Sequence, residues 1–383
     1  MKVPWLPHEF LVEIQGGEPL IRKDFIEIIR KFKKENIAVK ILTNGTLINE
    51  TIARALSELL DPITDSIQIS LDGSWPEIND KIRGKGSFTR IVEGIKLCTK
   101  YNISLSVNTT LMNENAADLV NIYKLAVSLG VPRYSFFTLM KAGRGKNLEI
   151  DFIEKALTQI IKIKELEKKK QYKTVVNGSL GYEQTLPDYP EAFQKVFGNR
   201  ILILNRNTAG VSSADIDHKG DVYPSSYLQF PELKAGNILR ESLIKLWKTK
   251  KWGDVRRTFT NIYGKCIICD RLKVCGGGTR TTSYIFNHCF NMSDSQCVYN
   301  PIIDLDDFII RPPKVNDFSF LRNLWANPEV MSYVGFPNGL KQPDRKIKNW
   351  IENWQKNGLR LIIEDKKERN PSEKLAIVLK KNN

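Results

Sequence analysis

The chain has 383 residues, 42% hydrophobic and 26% charged, with 58 basic against 43 acidic side chains and a net charge of +15. This is the composition of a soluble globular chain with room for two or three domains. No apolar stretch reaches the roughly 18 residues of a membrane span, and the dispersed Lys and Arg argue for a solvated surface, against a nucleic-acid partner.

The N-terminus MKVPWLPHEF lacks the apolar core of a signal peptide, so a cytoplasmic location is expected. From there the first half alternates apolar, β-branched runs with amphipathic stretches. Strands are expected at LVEIQ (11–15), VKILTN (39–44), SIQISLD (66–72), SLSVNTTLM (104–112) and YSFFTLM (134–140). Between them, Phe25, Ile29 and Phe32 recur at helical spacing in DFIEIIRKFKKE. Such alternation implies parallel strands joined by right-handed helical crossovers. Each strand runs into a polar cluster: Gly16-Gly17-Glu18, Thr43-Asn44-Gly45, Ser70-Leu71-Asp72-Gly73 and Asn108-Thr109-Thr110. In a parallel sheet these ends share one face, and ligands bind there.

Residues 146–200 read as helical, and residues 201–300 as short strands, turns and cysteines. FIIRPPKVNDFSFLRNLWANPEVMSYVG (308–335) then opens a new unit with a strand, a Pro-Pro break and a helix, followed by the strand pair 359–365 and 375–380. Five of the six cysteines fall between Cys266 and Cys297, and clustering in a reducing compartment points to metal over disulfides. Cys266, Cys269 and Cys275 are spaced C-x2-C-x5-C, with Cys297 further on. Four thiolates suit zinc or an iron–sulfur cluster, and spacing leaves both open. Cys98 falls in an expected helix and reads as core.

GGEP after the first strand, TNGT after the second, SLDG after the third and KIRGKGSF beyond it resemble the radical S-adenosylmethionine (SAM) enzymes. The C-x2-C-x5-C-GGG segment, preceded by GDVYP and GNILRESLIKLW, resembles the SPASM domain that follows many of those barrels. The resemblance implies that Gly16, Gly17 and Glu18, with Pro19 behind them, take the amino group of SAM's methionine half. It adds Asn44 to the cofactor site and places Ser70 and Arg83 near the ribose and carboxylate. It makes Cys266, Cys269, Cys275 and Cys297 ligands of one auxiliary [4Fe-4S] cluster, with zinc as the alternative. The second auxiliary set falls on Asn207, Ser225 and Thr279, so that cluster is expected to be lost.

Two further features depart from the family pattern. The C-x3-C-x2-C that holds the radical-generating cluster is not in residues 1–383, and the first barrel strand that precedes it is expected to be missing. Activity of the chain as written is therefore in doubt. Residues 308–335 also resemble the opening of GNAT acetyltransferases, without the glycine-rich turn that would bind acetyl-coenzyme A pyrophosphate.

The expected fold is α/β: a partial (β/α)6 radical SAM barrel over 1–200, a Cys-rich SPASM domain over 201–303 and an α+β GNAT-like fragment over 304–383. The expected function is that of a peptide- or protein-modifying maturase. The alternatives are a non-catalytic cluster- or zinc-bearing scaffold and the remnant of an acetyltransferase fusion. A peptide or protein substrate is expected, and a partner chain or second copy could complete the barrel edge at Leu11–Gln15. No catalytic acid or base can be named; Asp72 and Asp217 are guesses.

Overall fold

The computed structural model describes residues 10–145, 152–168, 173–179, 208–257, 262–297, 299–305, 307–354, 359–366 and 374–379. The chain divides into two compact units, residues 1–200 and 201–383.

The first unit is built from six strands: β1 Leu11–Ile14, β2 Ala38–Thr43, β3 Ser66–Ser70, β4 Leu105–Leu111, β5 Arg133–Thr138 and β6 Val175–Ser179. All neighbours pair in parallel, in the order β1-β2-β3-β4-β5-β6. Helices α1 Phe25–Lys34, α2 Glu50–Leu59, α3 Pro76–Arg83, α4 Ser87–Lys100, α5 Leu119–Ser128 and α6 Ile153–Lys168 make the crossovers. The helical reading of 146–200 holds for α6 but fails at β6, a strand. Residues 180–200 and Asn207 lie outside the described residues.

Period-two alternation divides the sheet into two unlike faces. Val39, Ile41, Ile67, Ile69, Val107, Tyr134 and Phe136 are buried in the main core with Ile29, Leu56, Ile91 and Ile95 from the helices. The residues between them on each strand, including Lys40, Gln68, Ser70, Ser106 and Ser135, are only half-buried. A parallel sheet covered on both faces would read as continuous apolar runs; here one face is polar. Cys98 lies on α4, fully buried, as read from the sequence.

In the second unit, β7 Asp215–Ile216, β8 Asp221–Tyr223 and β9 Gly236–Asn237 form an antiparallel sheet. The short helices α7 Leu243–Trp247, α8 Gly253–Arg256, α9 Leu272–Cys275 and α10 Arg280–Asn287 follow. Trp252 is fully buried, and its indole Nε1 donates to the Leu233 carbonyl at 2.7 Å.

Further along, β10 Ile303–Asp304, β11 Phe308–Arg311, β12 Leu359–Asp365 and β13 Lys374–Leu379 form a second antiparallel sheet. Helices α11 Phe318–Ala326, α12 Pro328–Met331 and α13 Asp344–Glu352 connect β11 to β12. Buried Arg311 fixes the Pro-Pro corner: its fork meets both Asp317 oxygens at 2.7 and 2.9 Å, and Nε donates to Glu364 at 2.8 Å. These carboxylates raise its already high pKa.

Close packing explains one motif glycine. A Cβ on Gly73 would lie 2.4 Å from the Asn79 backbone nitrogen, so the SLDG turn admits no side chain against α3. Gly73→Ala is expected to cost about 1–3 kcal/mol by overpacking. Native-state hydrogen exchange should read this as faster exchange in β3 and α3, with α13 unchanged.

Candidate cofactor and cluster sites

The strand-end face of the first unit is stitched together by carboxylates. Glu18 follows β1, and its side chain caps the next turn by accepting from Leu20 N at 3.1 Å. The same carboxylate crosses to the end of β2, accepting from Thr43 Oγ1 at 2.6 Å and Asn44 N at 2.7 Å. A carboxylate offers about four acceptor positions, so three bonds leave Glu18 room for one more donor. Gly16 takes φ +151°, a conformation suited to glycine, and neither Gly16 nor Gly17 has a neighbour within 4 Å of a built Cβ. Pro19 is buried behind them.

Asp72 plays the corresponding part between β3 and β4, accepting from Thr110 N at 2.8 Å. Its backbone N–H donates to Asn79 Oδ1, and its carbonyl accepts from Asn115 Nδ2. Arg83 pairs with Asp72, Nε to Oδ2 at 2.8 Å. Its sequence neighbour Asp80 instead accepts from the N–H groups of Gly86 and Phe88. The Arg83 Nε is buried without a hydrogen-bond partner of good geometry, so the pair with Asp72 is held by charge. Burial raises the Asp72 pKa, against the pull of Arg83 and the Thr110 N–H. Ser70 ends β3 on the polar face, and its hydroxyl makes no hydrogen bond among the described residues. Asn44 spends its Oδ1 on Thr46.

The four cysteines of the spaced motif are free thiols. Cys266 sits in the 3-10 turn Gly264–Ile268, and Cys275 ends α9. Gly276, Gly277 and Gly278 then take φ of +66°, +85° and +80° in succession. A Cβ on Gly277 would meet Ile262 at 2.2 Å, and one on Gly278 would meet Asp294 at 2.3 Å. Buried Asp294 accepts from Thr279 N and Gln296 N, and the Asp294 carbonyl accepts from Cys297 N at 3.1 Å. The Asp294 carboxylate thereby ties its segment to the glycine turn through Thr279 N, and its backbone carbonyl holds Cys297 N three residues on.

Burial pushes the Cys266 thiol up to about 12, with the neighbouring Cys297, Cys269 and Cys275 adding to it. Burial also raises Cys269 and Cys297. The four sulfurs thus share one electrostatic neighbourhood, yet among the described residues no three Cys, His, Asp or Glu groups converge to hold a single ion. Two buried cations border them. Lys265 donates to the Cys297 carbonyl, and Arg280 donates to Phe290 O and Met292 O. A four-thiolate iron–sulfur cluster carries net negative charge, so this donor set and its cations fit it.

Lys265, Arg280 and Asp294 were not singled out by the sequence. Adjacency to Cys266 and the spacing before Cys297 were the available signals. Of the replaced SPASM positions, Ser225 Oγ accepts from Tyr227 N and Thr279 N–H is bound to Asp294.

Residues 11–126 match the radical SAM superfamily, and residues 208–270 match the SPASM iron-sulfur cluster-binding domain. The chain carries a radical SAM domain and a SPASM domain. These domains indicate S-adenosylmethionine and [4Fe-4S] clusters as cofactors. An AdoMet-dependent heme synthase of Methanosarcina barkeri is 28% identical over 75% of this chain and 82% of its own length. The mycofactocin maturase MftC of Mycobacterium tuberculosis is 27% identical, over 76% and 71%. Among solved structures, Streptococcus suis SuiB bound to S-adenosylmethionine superposes with TM-score 0.61 at 18% identity, covering 75% of this chain and 66% of SuiB. Native anSMEcpe with bound AdoMet gives 0.55 at 20% identity, over 71% and 75%. These likenesses show a shared fold. No helix among the described residues is long and apolar enough to cross a membrane.

Glu18→Ala removes one acceptor from three donors at once. Bonds to charged groups are worth about 1.5–3 kcal/mol each, so exchange at Leu20, Asn44 and the end of β2 should accelerate by tenfold or more. Unchanged protection there would show that Glu18 does not join the strands.

Proposed function

We propose that this chain is a SAM- and cluster-binding protein of the peptide- or protein-modifying maturase type, working in the cytoplasm. The observation that carries the reading is the group of four free thiols, Cys266, Cys269, Cys275 and Cys297, bordered by buried Lys265 and Arg280. These cysteines would hold one auxiliary [4Fe-4S] cluster, which when bound supplies an electron-transfer centre. Buried Lys265 and Arg280 would offset its charge, and Asp294 would keep Cys297 in reach.

At the strand ends, Gly16, Gly17, Glu18 and Pro19 would receive the methionine amino group, with Asn44 beside them. Ser70 and Arg83 would meet the ribose and carboxylate. The Ser70 hydroxyl, without a hydrogen bond among the described residues, and the Arg83 guanidinium at the strand ends support that assignment, since a guanidinium binds a carboxylate bidentately. On the polar sheet face Ser106 and Ser135 donate internally, to Ile67 O and Asn108 Oδ1, and the Gln68 side-chain amide beside them is of the kind that pairs with an amide backbone. That favours a peptide substrate over a macrocycle. Edge strand β1, where Leu11 is 48% exposed, supports completion of the sheet by a partner chain or second copy.

Residues 1–383 contain no C-x3-C-x2-C, and this favours a second reading: a scaffold that binds its cofactors and a partner without radical chemistry. For the tail, the helices between the second and third strands of an antiparallel sheet support kinship with a GNAT fragment.

Anaerobic reconstitution is expected to give a brown protein with about four irons, lost in Cys266→Ala and Cys275→Ala. A colourless protein with one zinc would refute the cluster assignment. Calorimetry should show SAM binding weakened about tenfold by Arg83→Gln; equal affinity would remove Arg83 from the site. With dithionite present, no 5′-deoxyadenosine should form, and its appearance would overturn the view that this chain does not cleave SAM.

A further inference from the structure

One cleft is lined by residues outside both matched segments, in the C-terminal sheet-and-helix region. It has a volume of about 590 Å³ and lies among α11, α13 and the start of β12. That is the size of a small-molecule site. Arg345, Lys346 and Arg360 line it, and no Asp or Glu does.

The cations are placed where a folded chain has reason to avoid them. Arg345 and Lys346 stand in the first turn of α13, at the positive end of the helix dipole, where cations are disfavoured. The one acid of that turn, Asp344, faces Arg322 at 3.8 Å. Among the described residues no carboxylate pairs with Arg360, which is partly desolvated, and burial lowers its pKa. Among the described residues only its Nη1 makes a hydrogen bond, donating to the Trp350 carbonyl at 3.2 Å. A guanidinium has five N–H donors, so four remain. An anion in the cleft would relieve all three cations together.

The cleft also has aromatic lining, Trp325 and Trp350. Trp325 and Trp350 meet edge-to-face at 5.8 Å, and Arg360 lies 5.6 Å over the Trp350 ring. Indoles beside guanidinium groups suit a flat ring attached to an anion. The lining contains no glycine, so it is unlike the glycine-rich turn that binds acetyl-coenzyme A pyrophosphate in GNAT acetyltransferases.

We propose that this cleft binds a small ligand joining phosphate to a flat aromatic ring, the chemistry of a nucleoside phosphate. Phosphate oxygens meet Arg345, Lys346 and Arg360, and the ring lies on the indole wall.

The test is calorimetric titration of the full chain with ADP, adenosine and inorganic pyrophosphate, in saturating SAM to block the strand-end site. ADP should bind, with adenosine and pyrophosphate each weaker by about tenfold or more. Arg345→Gln/Lys346→Gln should weaken ADP by a similar factor without changing the melting temperature, because both side chains are exposed. Trp325→Leu should weaken ADP but leave pyrophosphate unchanged. Failure of ADP to bind at about 1 mM, or full affinity in the double variant, would overturn the proposal. So would pyrophosphate binding as tightly as ADP, since the ring would then contribute nothing.

Discussion

A parallel sheet offers no tight hairpin to fix the ends of its strands, and in the first unit carboxylates do that work. Glu18, beyond β1, accepts the Asn44 N–H beyond β2. Asp72, beyond β3, accepts the Thr110 N–H of β4. At the opposite end Asp65 accepts Val39 N–H at 2.8 Å and pairs with Lys33 at 2.6 Å. Each bond sets the height of one strand end against its neighbour. The loops that would receive a ligand are therefore held by the same acids that hold the sheet. Charged acceptors give such bonds more strength than neutral ones.

The cysteine region solves a different problem with similar means. Its chain must turn sharply after Cys275 and bring Cys297 back, with little apolar core to drive it. Three consecutive left-handed glycines make the turn, a conformation that costs other residues more. Asp294 then ties the returning segment to that turn through Thr279 N and the Cys297 N–H. The backbone between Cys275 and Cys297 is thus set by the glycine turn and by Asp294. Lys265 and Arg280 bring positive charge into an interior otherwise hostile to thiolates.

Five of the six strands were legible because β-branched residues alternate with polar ones over stretches bounded by turn signals. Strand β6 was not: VVNGS is short, contains Gly178 and follows a lysine-rich helix whose periodicity dominates its surroundings. The cysteines were legible from spacing. Their supports, Lys265, Arg280 and Asp294, were hidden because their partners lie up to 32 residues away. Arg83 shows the limit of local reading. Its nearest acid in sequence, Asp80, is spent on the N–H groups of the next helix, so Arg83 turns to Asp72. The tail's strands at 308, 359–365 and 375–380 were readable, but the cleft beside them depends on residues from two helices and a strand.

The order β1-β2-β3-β4-β5-β6 also bears on how the molecule is made. Every strand pairs with the one synthesised just before it, so no early segment must wait for a distant late one. Contacts between near neighbours in sequence close small loops, which favours fast folding. A nascent chain can add one strand and one helix at a time as it leaves the ribosome. Each new unit finds its docking edge already formed, while β1 keeps its outer edge open throughout.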